Sequence, residues 1–326
     1  MKFRKPFTEN PREQLKQSLK PRMANYFQSL QGTYSPRLYE QFFSEDLRTG
    51  VMPYGFELGR ENNQILATFE GSDEENEKAI NLLSDFCEHE PRNETDLICK
   101  AVNEISQDVS WEGRAVYEIL KGINNKGKAE FYVHQFYRAR TIKVPFYKYF
   151  QIVPKLDREY LKAKYLSCPV EDVFEITIPS RLGGYKRYKN ILNELAKYSG
   201  VGPGFFRQDP YQELTKGFDF GDYRRNQMVF GFSITRKWGW NYRNLANEYE
   251  NEFFKVHKYI TFKWAQAILR DHIISELNEL LIRLRIDSKF KIEGLLKPSE
   301  ILEVREKLKN GEIDFEEVFK KLKYQD

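Results

Sequence analysis

Ser110-Trp111-Glu112-Gly113-Arg114-Ala115-Val116-Tyr117-Glu118-Ile119 changes its hydrophobic period at one glycine. Upstream of it Leu97, Ala101, Ile105 and Val109 recur every fourth residue, with Ile98 and Val102 beside them. That spacing predicts an amphipathic helix with one continuous apolar face. Downstream, Val116, Glu118 and Leu120 alternate with Tyr117 and Ile119, which is the period and chemistry of a strand. Gly113 stands where a helix C-cap is expected.

Working outward, Pro91 closes the preceding element, and Asn93 or Thr95 starts the helix. A helix is predicted over Glu74–Cys87, with Ser72 or Asp73 as N-cap and Ala79, Ile80, Leu83, Phe86 and Cys87 on its apolar face. On the other side, Gly122-Ile123-Asn124-Asn125-Lys126-Gly127 reads as a hairpin turn and Glu130–Phe136 as its return strand. Two more strands are expected near Thr141–Val153 and Val173–Ile178, then a helix from Tyr185 to Tyr198. Residues 200–222 are rich in Gly and Pro and read as a loop, and Asp222–Phe232 as a short helix. Asn241–Arg285 has neither Gly nor Pro and keeps a near-helical apolar period, a rod of roughly 65 Å if unbroken. Two short helices, Ser299–Lys309 and Phe315–Leu322, are split by Asn310-Gly311.

The expected class is therefore α+β, with helices and an antiparallel or mixed sheet. The predicted organisation is an arm and irregular segment over 1–70, proline-punctuated at Pro6, Pro11, Pro21 and Pro36, and an α/β body over 71–240. A long helix over 241–290 and a helical C-terminal segment over 291–326 complete it.

At 326 residues, 40% hydrophobic and 31% charged, the composition is that of a globular chain with a large core. No apolar run is long enough to span a bilayer, so no membrane partner is expected. Met1-Lys2-Phe3-Arg4-Lys5-Pro6 is not followed by a signal-type apolar stretch. Cys87, Cys99 and Cys168 are too few for a disulfide framework, which points to a reducing compartment. The net charge of +4 hides a stripe: Glu70 to Glu118 holds 14 acidic and 4 basic residues, whereas Lys121 to Lys164 holds 11 basic and 3 acidic. Arg181 to Arg243 adds 12 basic against 5 acidic. Such a chain presents faces of opposite sign, as ring subunits and polyanion-facing proteins do.

No enzyme motif is well formed, so no catalytic residue and no cofactor is assigned. Cys87-Glu88-His89 with Cys99 lacks the close cysteine pairs of a structural zinc site, and no metal is expected there. His89, His134, His257 and His272 are never four apart. Gly200-Val201-Gly202-Pro203-Gly204 lacks the Gly-Lys-Ser/Thr ending of a phosphate loop. Glu171, Asp172 and Glu175 precede or occupy a strand as nuclease carboxylates do, but no further acid or lysine follows within it. Arg181 with Lys186-Arg187, Arg224-Arg225, and Arg236-Lys237 beside Trp238 and Trp240 are candidate nucleic-acid contacts. The plainer reading puts Trp238 and Trp240 under the long helix with the charges solvated.

The order of these elements resembles the portal proteins of tailed bacteriophages. The likeness rests on Asp108-Val109-Ser110-Trp111-Glu112-Gly113-Arg114-Ala115-Val116-Tyr117-Glu118-Ile119, on Pro169-Val170-Glu171-Asp172-Val173-Phe174-Glu175-Ile176, and on Arg181-Leu182-Gly183-Gly184-Tyr185. Near the C-terminus, Ile292-Glu293-Gly294-Leu295-Leu296-Lys297-Pro298 and Asn310-Gly311-Glu312 with Phe315 resemble the family's helical crown. The stem and clip that portals carry are shortened here to about residues 200–222. The resemblance implies a wing-like body and a homo-oligomeric ring of about twelve subunits. It further implies double-stranded DNA passing through, with capsid, terminase and head–tail connector proteins as partners at the virion vertex. The alternatives are a DNA-binding protein of a phage or mobile element, in the host cytoplasm, and third a metal-dependent nuclease.

Overall fold

The computed structural model describes residues 22–23, 38–52, 65–123, 129–136, 141–199, 229, 231–240 and 251–323. The predicted hairpin tip at 124–128, the 200–222 loop, Arg224-Arg225, most of Asp222–Phe232 and residues 241–250 lie outside them.

The first elements are α1 (Leu38–Thr49), β1 (Leu66–Gly71), α2 (Asp73–Ser84) and α3 (Glu94–Glu112). Six strands follow: β2 (Arg114–Ile123), β3 (Ala129–Gln135), β4 (Thr141–Val144), β5 (Lys148–Ile152), β6 (Tyr165–Pro169) and β7 (Val173–Thr177). Then come α4 (Gly184–Ser199), α5 (Glu252–Arg283), β8 (Ser288–Glu293), α6 (Pro298–Lys309) and α7 (Phe315–Lys323). The class is α+β, and every described strand pair is antiparallel.

α3 begins as its sequence dictates. The Asn93 side chain accepts a hydrogen bond from the Asp96 N–H at 2.8 Å, which satisfies one of the orphan donors of the first turn. Leu97, Ile98, Val102, Ile105 and Val109 are fully buried, an apolar face worth on the order of 10 kcal/mol as an upper estimate. The helix stops at Gly113, whose φ of 81° is left-handed and whose N–H bonds the Val109 carbonyl at 2.7 Å. A Cβ there would stand 3.0 Å from the Tyr188 ring and 3.1 Å from that of Tyr185, so the left-handed backbone favours glycine and the tight space adds to that preference.

β2 is the centre of the sheet β3-β2-β7 and is buried on both faces. Ala115, Tyr117 and Ile119 face the main core, together with Val133 of β3 and Phe174 and Ile176 of β7. α1, α3, α4 and α5 close that core from the same side. Val116 and Glu118 face the other way, toward Val173 and the second sheet, β4-β5-β6. Tyr149 of β5 and Cys168 of β6 pack there against Val116, Phe136 and Met23. The body thus has three layers: helices, the β3-β2-β7 sheet, and the β4-β5-β6 sheet.

α5 is a single 32-residue helix of about 48 Å, capped by Asn251, whose side chain accepts from the Phe254 N–H at 3.0 Å. The expected span of Asn241–Arg285 is therefore shorter at the described end, where the cap fixes the start. Arg285, with φ of 59°, lies beyond its other end. Its C-terminal half enters the main core through Leu269, Ile273, Leu277 and Leu281. Val256, Ile260 and Ala267 face Ile301 of α6 and Val318 and Leu322 of α7 instead. An apolar pattern on more than one side has made α5 a spine between the body and the C-terminal helices.

Four expectations need correction. Part of the predicted arm and irregular segment over 1–70 is α1, because Phe43 and Leu47, one turn apart, are both fully buried. Thr141–Val153 is two strands, not one, since Phe146 has φ of 60° and the Tyr147 N–H turns back to the Val144 carbonyl at 3.2 Å. The Glu74–Cys87 helix ends at Ser84, after which Asp85, Phe86 and Cys87 bond carbonyls three residues back in a tightened last turn. The β1–β8 pair was not anticipated; it tethers Phe69 to Phe290 across its register, with ring centroids 6.0 Å apart. The main core consequently draws on Ile65 and Ala67, on the body and on α5 together, across the boundaries expected at 70 and 240.

Candidate functional site

A cluster of ion pairs lies between the two three-stranded sheets. Glu118 points into this layer from β2, with its side chain fully buried. Its carboxylate accepts hydrogen bonds from the Arg22 N–H at 3.0 Å, the Met23 N–H at 3.2 Å and the Arg22 Nε at 2.9 Å. The same guanidinium reaches Asp172 through Nη2 at 2.7 Å, and Lys121 reaches the other Asp172 oxygen at 2.7 Å. One residue pair along β7, Glu175 accepts from Arg114 at 3.3 Å, from Tyr149 Oη at 2.6 Å and from Lys143.

Three carboxylates are thus matched by four cations, which is what a low-dielectric layer demands of buried charge. Burial alone would raise the Asp172 carboxyl; hydrogen bonds from Lys121 and Arg22 outweigh it and hold it below its usual range. Glu175 is likewise lowered, burial being overcome by Lys143 and Tyr149. The Tyr149 phenol is pushed up, by burial first and then by the Glu175 charge. His134 stands opposite Glu118 in the β2–β3 register, and burial pushes its imidazole down to about 4 against a hydrogen bond with the Met23 backbone.

This geometry bears on the nuclease carboxylates. Glu171 is exposed, while Asp172 and Glu175 are already engaged by lysine and arginine. Both carboxylates sit in ion pairs that pin segments together, and a divalent ion would have to displace those cations. Among the described residues no group of three or more His, Cys, Asp or Glu is disposed to hold a metal ion. Cys87 and Cys99 are buried thiols, Cys99 pushed up to about 12 mainly by burial, and Cys87 donates weakly to the Leu83 and Leu97 carbonyls. His89 and Glu88 beside them are exposed.

The basic candidates divide. Arg181, in the 3₁₀ turn Ser180–Leu182, is exposed with its guanidinium 5.5 Å from the Trp264 ring centroid on α5. Lys186 and Arg187 are exposed on the first turns of α4 close by in sequence. Arg236 and Lys237 are exposed, whereas Trp238 and Trp240 are buried. Those two indoles pack edge-on against Phe43, and the Trp240 Nε1–H donates to Asp46 at 2.7 Å. The aromatic half of that cluster is core. Arg224 and Arg225 lie outside the described residues.

Sequence reasoning missed Glu118 and Arg22 as partners. A signal for the first did exist: a lone acid inside the otherwise apolar run Ala115–Leu120 must find an internal partner. Nothing in the sequence points from there to Arg22, 96 residues away.

No protein-family model matches the chain, and no curated protein matches it. Among the described residues no helix is long and apolar enough to cross a membrane.

Proposed function

We propose that this chain is a portal-like structural subunit of a tailed bacteriophage, a homo-oligomeric channel component for packaging and ejecting the genome. It performs no catalytic step of its own. The observation that carries this reading is that the segments resembling the portal family converge in space. Asp108–Ile119 forms the end of α3, the Gly113 cap and β2, and Pro169–Ile176 leads into β7, which pairs with β2 in the register Ala115↔Ile176. The Ile178 N–H bonds the Gly113 carbonyl at 2.9 Å, tying the two segments at the join. Arg181–Tyr185 then turns out of that sheet into α4, whose Tyr185 and Tyr188 close over Gly113. Asn310–Phe315 links α6 to α7, and both helices pack on α5.

On this reading double-stranded DNA passes through the ring at the capsid vertex, with capsid, terminase and connector proteins around it. The ion-paired layer serves rigidity. Its cations are spent on Glu118, Asp172 and Glu175 rather than offered to phosphates, which suits a channel whose walls must not grip DNA. Negative-stain microscopy of the purified protein tests the proposal: rings with a central channel are expected, and isolated globular particles at high concentration would dispose of it.

A second reading, a DNA-binding protein, is favoured by the exposed cations Arg181, Lys186 and Arg187 at the start of α4. Its check is a salt titration of duplex binding, where no measurable affinity at low salt removes it.

A further inference from the structure

Among the described residues, the β4-β5-β6 sheet has one face packed and one face uncovered. Tyr149, Gln151 and Cys168 alternate inward and are buried. Of the residues that point out, Ile142, Val144, Phe150, Ile152 and Tyr165 are apolar, with Lys148 and Ser167 among them. Ile142 is paired opposite Phe150, and Ile152 opposite Tyr165. Ile142 is 55% exposed, Ile152 38% and Tyr165 66%. At the β4–β5 turn Phe146 is fully exposed. An antiparallel sheet that faces water normally alternates apolar inside with polar outside. A largely apolar outer face, beside further exposed aromatics, marks a surface that is covered in use.

Charge says what covers it. From Thr141 to Tyr165 the chain carries six basic residues, among them Lys148, Lys155, Lys162 and Lys164, against two acidic ones. Lys148 stands on this face opposite Val144, and Lys155, Lys162 and Lys164 are exposed in the segment joining β5 to β6, so two copies laid face to face would meet like charge and a self-complementary contact is disfavoured. The opposite sign lies on the same chain, in the acidic stretch Glu70–Glu118, where Asp96 and Glu118 are buried but Glu74, Glu77, Glu88 and Glu90 are exposed. α2 and α3 of that stretch pack on the main-core side of the β3-β2-β7 sheet, while β4-β5-β6 packs on its other side. Glu74 and Glu77 belong to α2, and Glu88 and Glu90 follow it.

We infer that the bare face of β4-β5-β6 docks on the acidic α2–α3 side of a second copy of this chain, head to tail. A head-to-tail contact repeats until it closes a ring or runs on as a filament. The inference rests on the ring-forming reading above and names the surfaces that would build it.

Complementary variants test it. One carries Ile142→Glu and Tyr165→Glu on the sheet face, and the other Glu77→Lys and Glu88→Lys on the acidic side. Phe146→Asn is a gentler third, since the side chain touches solvent alone and asparagine accepts the left-handed backbone there. All three should keep the wild-type melting curve. By sedimentation velocity each double variant should lose assembly by at least about tenfold in concentration, and Phe146→Asn should weaken it less. Mixed one to one, the two double variants retain one good surface each and should stop at a heterodimer.

Rings that persist in the sheet-face variant overturn this inference and leave the ring reading standing. A wild-type chain that stays monomeric overturns both. An acidic-side variant that assembles normally overturns the head-to-tail partner. Binding of a single-stranded thirty-mer of thymidine, or of phosphatidylglycerol vesicles, lost in the sheet-face variant while assembly is unchanged, would assign the face to nucleic acid or lipid instead.

Discussion

The two three-stranded sheets are close in sequence, and each inverts the usual relation between hydropathy and burial. β3-β2-β7 buries Glu118 completely, yet β4-β5-β6 exposes Ile142, Ile152 and Tyr165. In the first, a charge is tolerated inside because three donors and a neighbouring row of cations meet it. In the second, apolar side chains face outward, as they do where a partner surface is to come. One sheet is complete within the chain, and on the proposed reading the other is completed by a second molecule.

The inner sheet should therefore be costly to disturb and the outer face cheap. Glu118→Ala, which removes the acceptor of the Arg22 Nε and of two backbone N–H groups, should lose about 2–4 kcal/mol in urea unfolding; a loss under about 1 kcal/mol would remove the layer's structural role. Acid should be felt next. His134 is neutral in the fold down to about pH 4 but takes a proton near its ordinary value when unfolded, so stability falls as pH falls from about 6.5 to 4. The drop is on the order of 3 kcal/mol, and a His134→Phe variant should flatten it. Asp172 and Glu175, both lowered, add stability that is full above their ordinary values and lost as pH falls below about 4. Gly113→Ala should cost about 2 kcal/mol through the left-handed backbone and the crowded tyrosines, measured by thermal melt with no change in assembly. At the small end, Ile142→Thr on the bare face should move stability by less than about 0.5 kcal/mol while weakening association; a large loss of stability would make that face part of the core.

Much of the fold was legible because local chemistry and tertiary role agree. Asn93, the four-residue apolar period and Gly113 fix α3 before any packing is known, and the β2–β3 hairpin follows from alternation around a polar turn. What escaped depends on distance in sequence. β1 and β8 are short and each needs the other, with Gly71 paired to Ser288, while Asn76 and Glu75 of α2 hold Ser288 and Asp287 from 212 residues away. α1 has a weak pattern of its own and is held by Phe43 among Tyr188, Trp238 and Trp240, and by Gln266, whose side chain donates to the Asp46 and Leu47 carbonyls at its end. The basic clusters were visible as composition, but the burial of Trp238 and Trp240 separates packing aromatics from solvated charges in a way that spacing does not. The carboxylates of the β7 segment were visible too, while the cations that occupy them come from four other places in the chain.

Native mass measured across a wide range of protein concentration tests the account most directly. A ring-forming subunit with complementary faces gives one closed, high-order species of about twelve copies whose stoichiometry does not change on dilution above its assembly threshold. A single monomeric mass at every concentration would contradict it.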